Sequence, residues 1–119
     1  MENKDFIIED GVLEMYLGAG GDVIIPDNVT DIGYGAFEDC TGLTSIVIPD
    51  GVTAIGMGVF SGCTELKSIT IPDSVTEIAE TAFDMCENLT IRCAEGSSAS
   101  RYAAEYSIPF EAVENEETF

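Results

Sequence analysis

Residues 27–49 read DNVTDIGYGAFEDCTGLTSIVIP, and residues 50–72, DGVTAIGMGVFSGCTELKSITIP, are a near-copy that follows at once. A third copy begins at Asp73, DSVTEIAETAFDMCENLT-IRC, and is one residue short near its end. Pro26, Pro49 and Pro72 stand 23 residues apart, and the same step relates Val29/Val52/Val75, Ile32/Ile55/Ile78, Phe37/Phe60/Phe83, Cys40/Cys63/Cys86 and Leu43/Leu66/Leu89. Self-similarity at a period of this length marks a solenoid, in which each unit buries its apolar side only by stacking on its neighbours.

Outward from the repeat, residues 5–17 read as two short strands around Asp10-Gly11, a dipeptide that readily takes the positive φ of a tight hairpin. Residues 18–21, Gly-Ala-Gly-Gly, form a loop. Val23-Ile-Ile-Pro26 aligns with Ile46-Val-Ile-Pro49, which makes it a partial first coil. The hairpin is expected to cover the open end of the stack, which is otherwise a bare sheet edge. Residues 1–25 are thus assigned to an N-terminal cap with that partial coil, 26–96 to three repeats, and 97–119 to a C-terminal cap with an acidic tail.

Within a repeat, Ile46 and Ile48 alternate onto an inner face, Pro49-Asp50-Gly51 carries turn chemistry, and Val52-x-x-Ile55 is a second extended piece with a bend. Ala36-Phe37 and Val59-Phe60 are expected on a single helical turn whose phenylalanine plugs the coil. After the register breaks at Leu89, Ser97 or Ser98 is a plausible N-cap. Ala99, Tyr102, Ala103 and Tyr106 then lie on one helical face. Ile108-Pro-Phe110 is a last extended piece, and residues 114–119 an acidic, frayed tail.

Composition narrows the function. Four basic against 23 acidic residues give a formal charge of −19 in a chain that is 45% hydrophobic. This excludes nucleic acid and an anionic membrane surface as partners and permits a basic partner or cations, although solubility alone accounts for it. No apolar run is long enough to span a bilayer. No cationic start with an apolar h-region is visible either, so the chain is read as cytoplasmic or as lacking a trimmed leader.

With these residues in view, the chain resembles the BspA-like leucine-rich repeats of bacterial and some protist surface proteins. The thrice-repeated IPD-x-V-T-x-I together with AF-x-x-C-x-x-L-x-S-I carries the resemblance, and it covers residues 5–113. It implies a right-handed leucine-rich-repeat-type solenoid, mainly β with short helical turns, a hairpin cap and a helix cap. It also implies a non-catalytic module for protein binding or adhesion, secreted or at the cell surface. The familiar repeat places Asn or Cys three residues beyond its last strand leucine, as a ladder to backbone. Here that column is Asn28, Gly51 and Ser74, so no such ladder is expected.

Catalytic residues are not expected: the sequence has no histidine, which rules out Ser–His and Cys–His nucleophile systems. Cys40, Cys63 and Cys86, with Cys93 in a core position, are read as small buried hydrophobes, since they lack the paired spacing of a zinc site. Asp27, Asp50 and Asp73 form a column one coil apart, read as turn caps first and as a weak hard-cation site second. No cofactor is expected. The candidate binding residues are the outward strand positions Ile24, Ser45, Val47, Ser68, Thr70 and Arg92, since such a face is where solenoids recognise partners. The alternatives are a cation- or carbohydrate-binding module, for which Tyr16 and Tyr34 are the candidate aromatic platforms outside the C-terminal cap, and a structural spacer with no ligand.

Overall fold

The computed structural model describes residues 5–113, and the expected acidic tail at 114–119 lies outside them. The repeat columns become rungs. Strands β3 (Gly21–Ile24), β5 (Leu43–Val47), β7 (Ser68–Thr70) and β9 (Thr90–Cys93) pair in parallel, placing Ser45 on Ser68, Ile46 on Ile69 and Val47 on Thr70. The missing residue of the third copy is absorbed without slippage, since Thr70 pairs with Arg92 and Ile69 with Ile91. A last strand, β10 (Phe110–Ala112), adds to β9, so this sheet has the order β10-β9-β7-β5-β3. The closing extended piece therefore starts at Phe110 and not at Ile108.

The second extended piece of each repeat builds a second sheet. Strands β4 (Asp31–Ile32), β6 (Ala54–Ile55) and β8 (Glu77–Ile78) are two residues each, and the hairpin β1 (Phe6–Glu9) and β2 (Val12–Tyr16) continues them in the order β1-β2-β4-β6-β8. The hairpin turns on Asp10 (φ 53°) and Gly11 (φ 82°), the pair of positive φ values that a two-residue connection needs.

Ala36-Phe37 and Val59-Phe60 each sit in a single i→i+3 turn, closed by Glu38 N–H to Gly35 O (3.0 Å) and Ser61 N–H to Gly58 O (3.1 Å), that does not extend into a helix. In the first, successive turns are also closed by Ala36 N–H to Gly33 O (3.2 Å), Cys40 N–H to Phe37 O (3.1 Å) and Leu43 N–H to Cys40 O (3.1 Å). The cause is competition for donors. Phe37 N–H donates to Val59 O (2.9 Å) and Asp39 N–H to Ser61 O (2.7 Å), both in the next coil, and Phe60 and Gly62 repeat this toward Ala82 and Asp84. A third side of the coil is thus also tied by backbone hydrogen bonds.

Inside, Leu43, Ile46, Ile48, Val52, Ile55, Phe60, Leu66, Ile69, Ile71 and Ile91 are at most 2% exposed. The phenylalanines form a stack, with Phe37 to Phe60 centroids 5.2 Å apart and Phe60 to Phe83 5.5 Å. Each cap supplies the next ring. Tyr16 of the hairpin stacks on Phe37 at 5.0 Å, and Tyr102 of helix α1 (Ser98–Glu105) meets Phe83 edge-on at 6.0 Å. Helix α1 starts on Ser97, whose Oγ accepts from Ser100 N–H (3.2 Å), and it buries Ala99, Tyr102 and Ala103. Tyr106, placed on the same face by spacing, is left 37% exposed against the Tyr102 ring.

The column at Asn28, Gly51 and Ser74 is not silent. Ser74 Oγ donates to Val52 O (2.8 Å) and accepts from Gly51 N–H (3.3 Å), so one ladder rung exists where none was expected. The turns also close themselves, through Val29, Val52 and Val75 N–H to the carbonyls of Pro26, Pro49 and Pro72. The cysteine column makes a second ladder, from Cys63 Sγ to Phe37 O (3.1 Å) and Cys86 Sγ to Phe60 O (3.0 Å). Cys63 and Cys93 are buried as expected. Cys40 and Cys86 are only half-buried, although Cys63 between them in the same column is fully buried, and all four are free thiols.

Candidate functional site

The parallel register brings the candidate residues together on one face. Ile24 stands beside Val47, Val47 beside Thr70, and Thr70 beside Arg92, while Ser45 stands beside Ser68. Alternation turns them outward as Val23, Ile46, Ile69 and Ile91 turn in. Ile24 is 72% exposed and Val47 39%, which makes two adjoining apolar side chains on an otherwise polar surface.

Three features of this face and its edge could not be read from the repeat. First, a bulge between Gly21 and Asp22 sets two residues, Thr44 and Ser45, against Asp22. Both hydroxyls donate to Asp22 Oδ1, Ser45 at 2.7 Å and Thr44 at 3.1 Å. Ser45 first and Thr44 second hold the Asp22 carboxyl below the usual carboxylate value. Second, Gly20 crosses close to the next coil, where a Cβ would collide with the Gly42 carbonyl, so only glycine fits there. Third, Arg92 is not a lone cation. Its Nε lies 3.1 Å from Glu111 Oε1 on β10, a strand outside the repeat alignment. The charge signal was present in the sequence, but nothing in the spacing set Glu111 beside Arg92.

The remaining candidates are dispersed. Asp27, Asp50 and Asp73 are exposed on successive turns, and no three carboxylates or thiols among the described residues converge on a point that could hold a metal ion. Tyr16 is no platform, since its ring is sandwiched between Phe6 and Phe37 and its hydroxyl accepts from Gly20 N–H (3.0 Å). Tyr34 is 77% exposed and lies over Gly56. Burial holds the Cys40 and Cys93 thiols above the ordinary cysteine value, the reverse of an activated nucleophile. No helix among the described residues is long and apolar enough to cross a membrane.

A scaffold of parallel rungs with a bare outward strand face defines a repeat protein. Residues 20–103 match the family model described as 'BspA type Leucine rich repeat region (6 copies)', and the chain belongs to that family. Among solved structures it is similar to a leucine rich repeat protein of T. pallidum (30% identity, TM-score 0.72), covering 78% of this chain and 52% of that one. A leucine-rich repeat protein from Bacteroides ovatus is similar at 27% identity and TM-score 0.60, over 93% of this chain and 32% of that one. A leucine rich cell surface protein from Faecalibacterium prausnitzii is similar at 32% identity and TM-score 0.55, over 78% and 32%. The chain thus spans about half or less of these structures. No curated protein matches it.

Proposed function

We propose that this chain is a non-catalytic protein-binding module, for adhesion or interaction, of a secreted or surface-associated bacterial protein, and that it engages its partner through the outward face of β3, β5, β7 and β9. The observation that carries the reading is the adjoining Ile24 and Val47 in register on an exposed face, flanked by Ser45, Ser68, Thr70 and the Arg92–Glu111 pair. The cell-surface description of the Faecalibacterium prausnitzii protein supports the location.

Geometry limits the strength of the contact. Four rungs about 4.8 Å apart and three residues of about 3.3 Å cover roughly 150–200 Å², against about 800 Å² per partner in a standard interface. One module binds weakly, and repetition or multivalency supplies the rest. The formal charge of −19 favours a basic partner whose encounter is faster at low salt.

The test is capture of host matrix and bacterial surface proteins at two salt concentrations, with the chain and with its V47K/T70K variant. The reading expects capture that weakens in the variant and at high salt while the melting temperature stays nearly the same. Capture that survives both lysines overturns the strand-face assignment, and capture of no protein leaves the spacer reading in its place.

A further inference from the structure

The second sheet ends differently from the first. Along it, at the β2–β4 and β6–β8 junctions, two carbonyls of one coil accept from the next in the same pattern, and β8 is the last strand of the sheet. Gly11 and Leu13 accept from Thr30 (2.8 Å) and Gly33 (2.9 Å), and Thr53 and Ile55 accept from Thr76 and Ala79, both at 2.9 Å. Continued by one coil, the acceptors are Thr76 O and Ile78 O. Among the described residues nothing donates to either. The chain leaves the repeat here and enters helix α1, which packs beside this edge and bonds the residues just past β8 through the Tyr102 hydroxyl on Ala79 O (3.0 Å) and Glu80 O (3.4 Å). Between strand and helix lies a groove of about 360 Å³ lined by Thr76, Glu77, Ile78, Arg101, Tyr102 and Glu105.

We propose that this open edge of β8 takes an extended basic peptide segment as an added parallel strand. The backbone pattern sets the shape of the occupant: two N–H groups three residues apart, as in Thr76 and Ala79, aimed at Thr76 O and Ile78 O. The side chains set its charge. Glu77 and Glu105 line the groove and outnumber its one cation, the exposed Arg101, whose Nη1 is held on Gly96 O (2.9 Å) and Nη2 on Ser98 Oγ (3.2 Å). Ile78 and the Tyr102 ring supply an apolar floor on which an alternate aliphatic side chain can rest. The native rung at this edge is two residues long, so the added strand binds weakly and adds to whatever the strand face holds.

The probe is the synthetic peptide Lys-Val-Lys-Val-Lys-Val, titrated into the full chain while backbone amide shifts are followed by NMR. Expected are shifts confined to residues 76–79 and to Arg101 and Glu105, with the Ile78 amide rapidly exchanging beforehand and protected on binding. Methylating alternate peptide nitrogens is expected to weaken binding at least tenfold, as is E77K/E105K. Shifts only at Val47 and Thr70, an unchanged affinity for the methylated peptide, or an Ile78 amide already protected in the free chain each overturn the proposal. The last result shows an edge that is already covered.

Discussion

Phe60 and Phe83 lie face to face, with ring centroids 5.5 Å apart and planes only 3° from parallel. One coil separates them. Ring contacts continue from Phe6 through Tyr16, Phe37, Phe60 and Phe83 to Tyr102, stacked in the middle, tilted at Phe6 and edge-on at Tyr102, so the hairpin, the coils and the helix share one aromatic column. Phe60 is fully buried at its middle. Phe60→Ala therefore removes contacts with both neighbours, and a loss of about 3–5 kcal/mol is expected. By thermal melting this lowers Tm by more than about 10 °C.

Met85 has φ 66° and is 66% exposed, so its side chain gains little from packing while its backbone sits in the left-handed region. Gly62 occupies the same column in the preceding repeat at φ 80°. Met85→Gly relieves a cost of roughly 1–2 kcal/mol, partly offset by the greater freedom of glycine in the unfolded chain. A net gain of about 0.5–1 kcal/mol is expected by urea unfolding.

Much of the architecture was legible because the repeat aligns columns. Any residue in a column inherits its neighbour's environment, and Ile46, Val47 and Thr70 were placed correctly for that reason. What lies outside the columns was not legible. Tyr16 belongs to a hairpin with no repeat partner, so its place under Phe37 could not be read, and Glu111 beside Arg92 failed for the same reason. The two-residue strands at Asp31–Ile32, Ala54–Ile55 and Glu77–Ile78 are too short for any alternation to declare a sheet. The Ser74 and cysteine rungs depend on how a side chain bends along the axis, which spacing does not carry.

Tyr102 sets an alkaline limit. Burial first, and then the negative charges of Tyr106, Asp84 and Glu80, push its hydroxyl well above the ordinary value of 10.0. A raised pKa gives a contribution that is complete below pH 10 and is lost as pH climbs above it, because the unfolded chain ionises first. Stability is expected to fall above pH 10. In Tyr102→Phe that fall is reduced, with lower stability at pH 7 from loss of the bond to Ala79 O. Denaturant melts from pH 7 to 11 check both.

Asp22 acts at the other end of the scale. Its carboxyl is held below 3.8 by Ser45 and Thr44, so its contribution is present above that value and is lost as pH falls through the folded-state pKa. The residue is fully exposed and the effect is small. Asp22→Asn is expected to flatten the decline in Tm between pH 4 and 2, and S45A to do so in part.

Cooperative folding of the three coils and both caps as one unit is the central expectation. Its most direct test is thermal unfolding followed by two signals on one sample. Near-ultraviolet circular dichroism of a Tyr34→Phe variant reports Tyr16, Tyr102 and Tyr106 in the caps, and calorimetry reports the whole. A single transition at one midpoint, with calorimetric and van't Hoff enthalpies in agreement, is the predicted result. Loss of the tyrosine signal at a lower temperature than the main heat absorption contradicts it, since the caps then melt away from a core that stands without them.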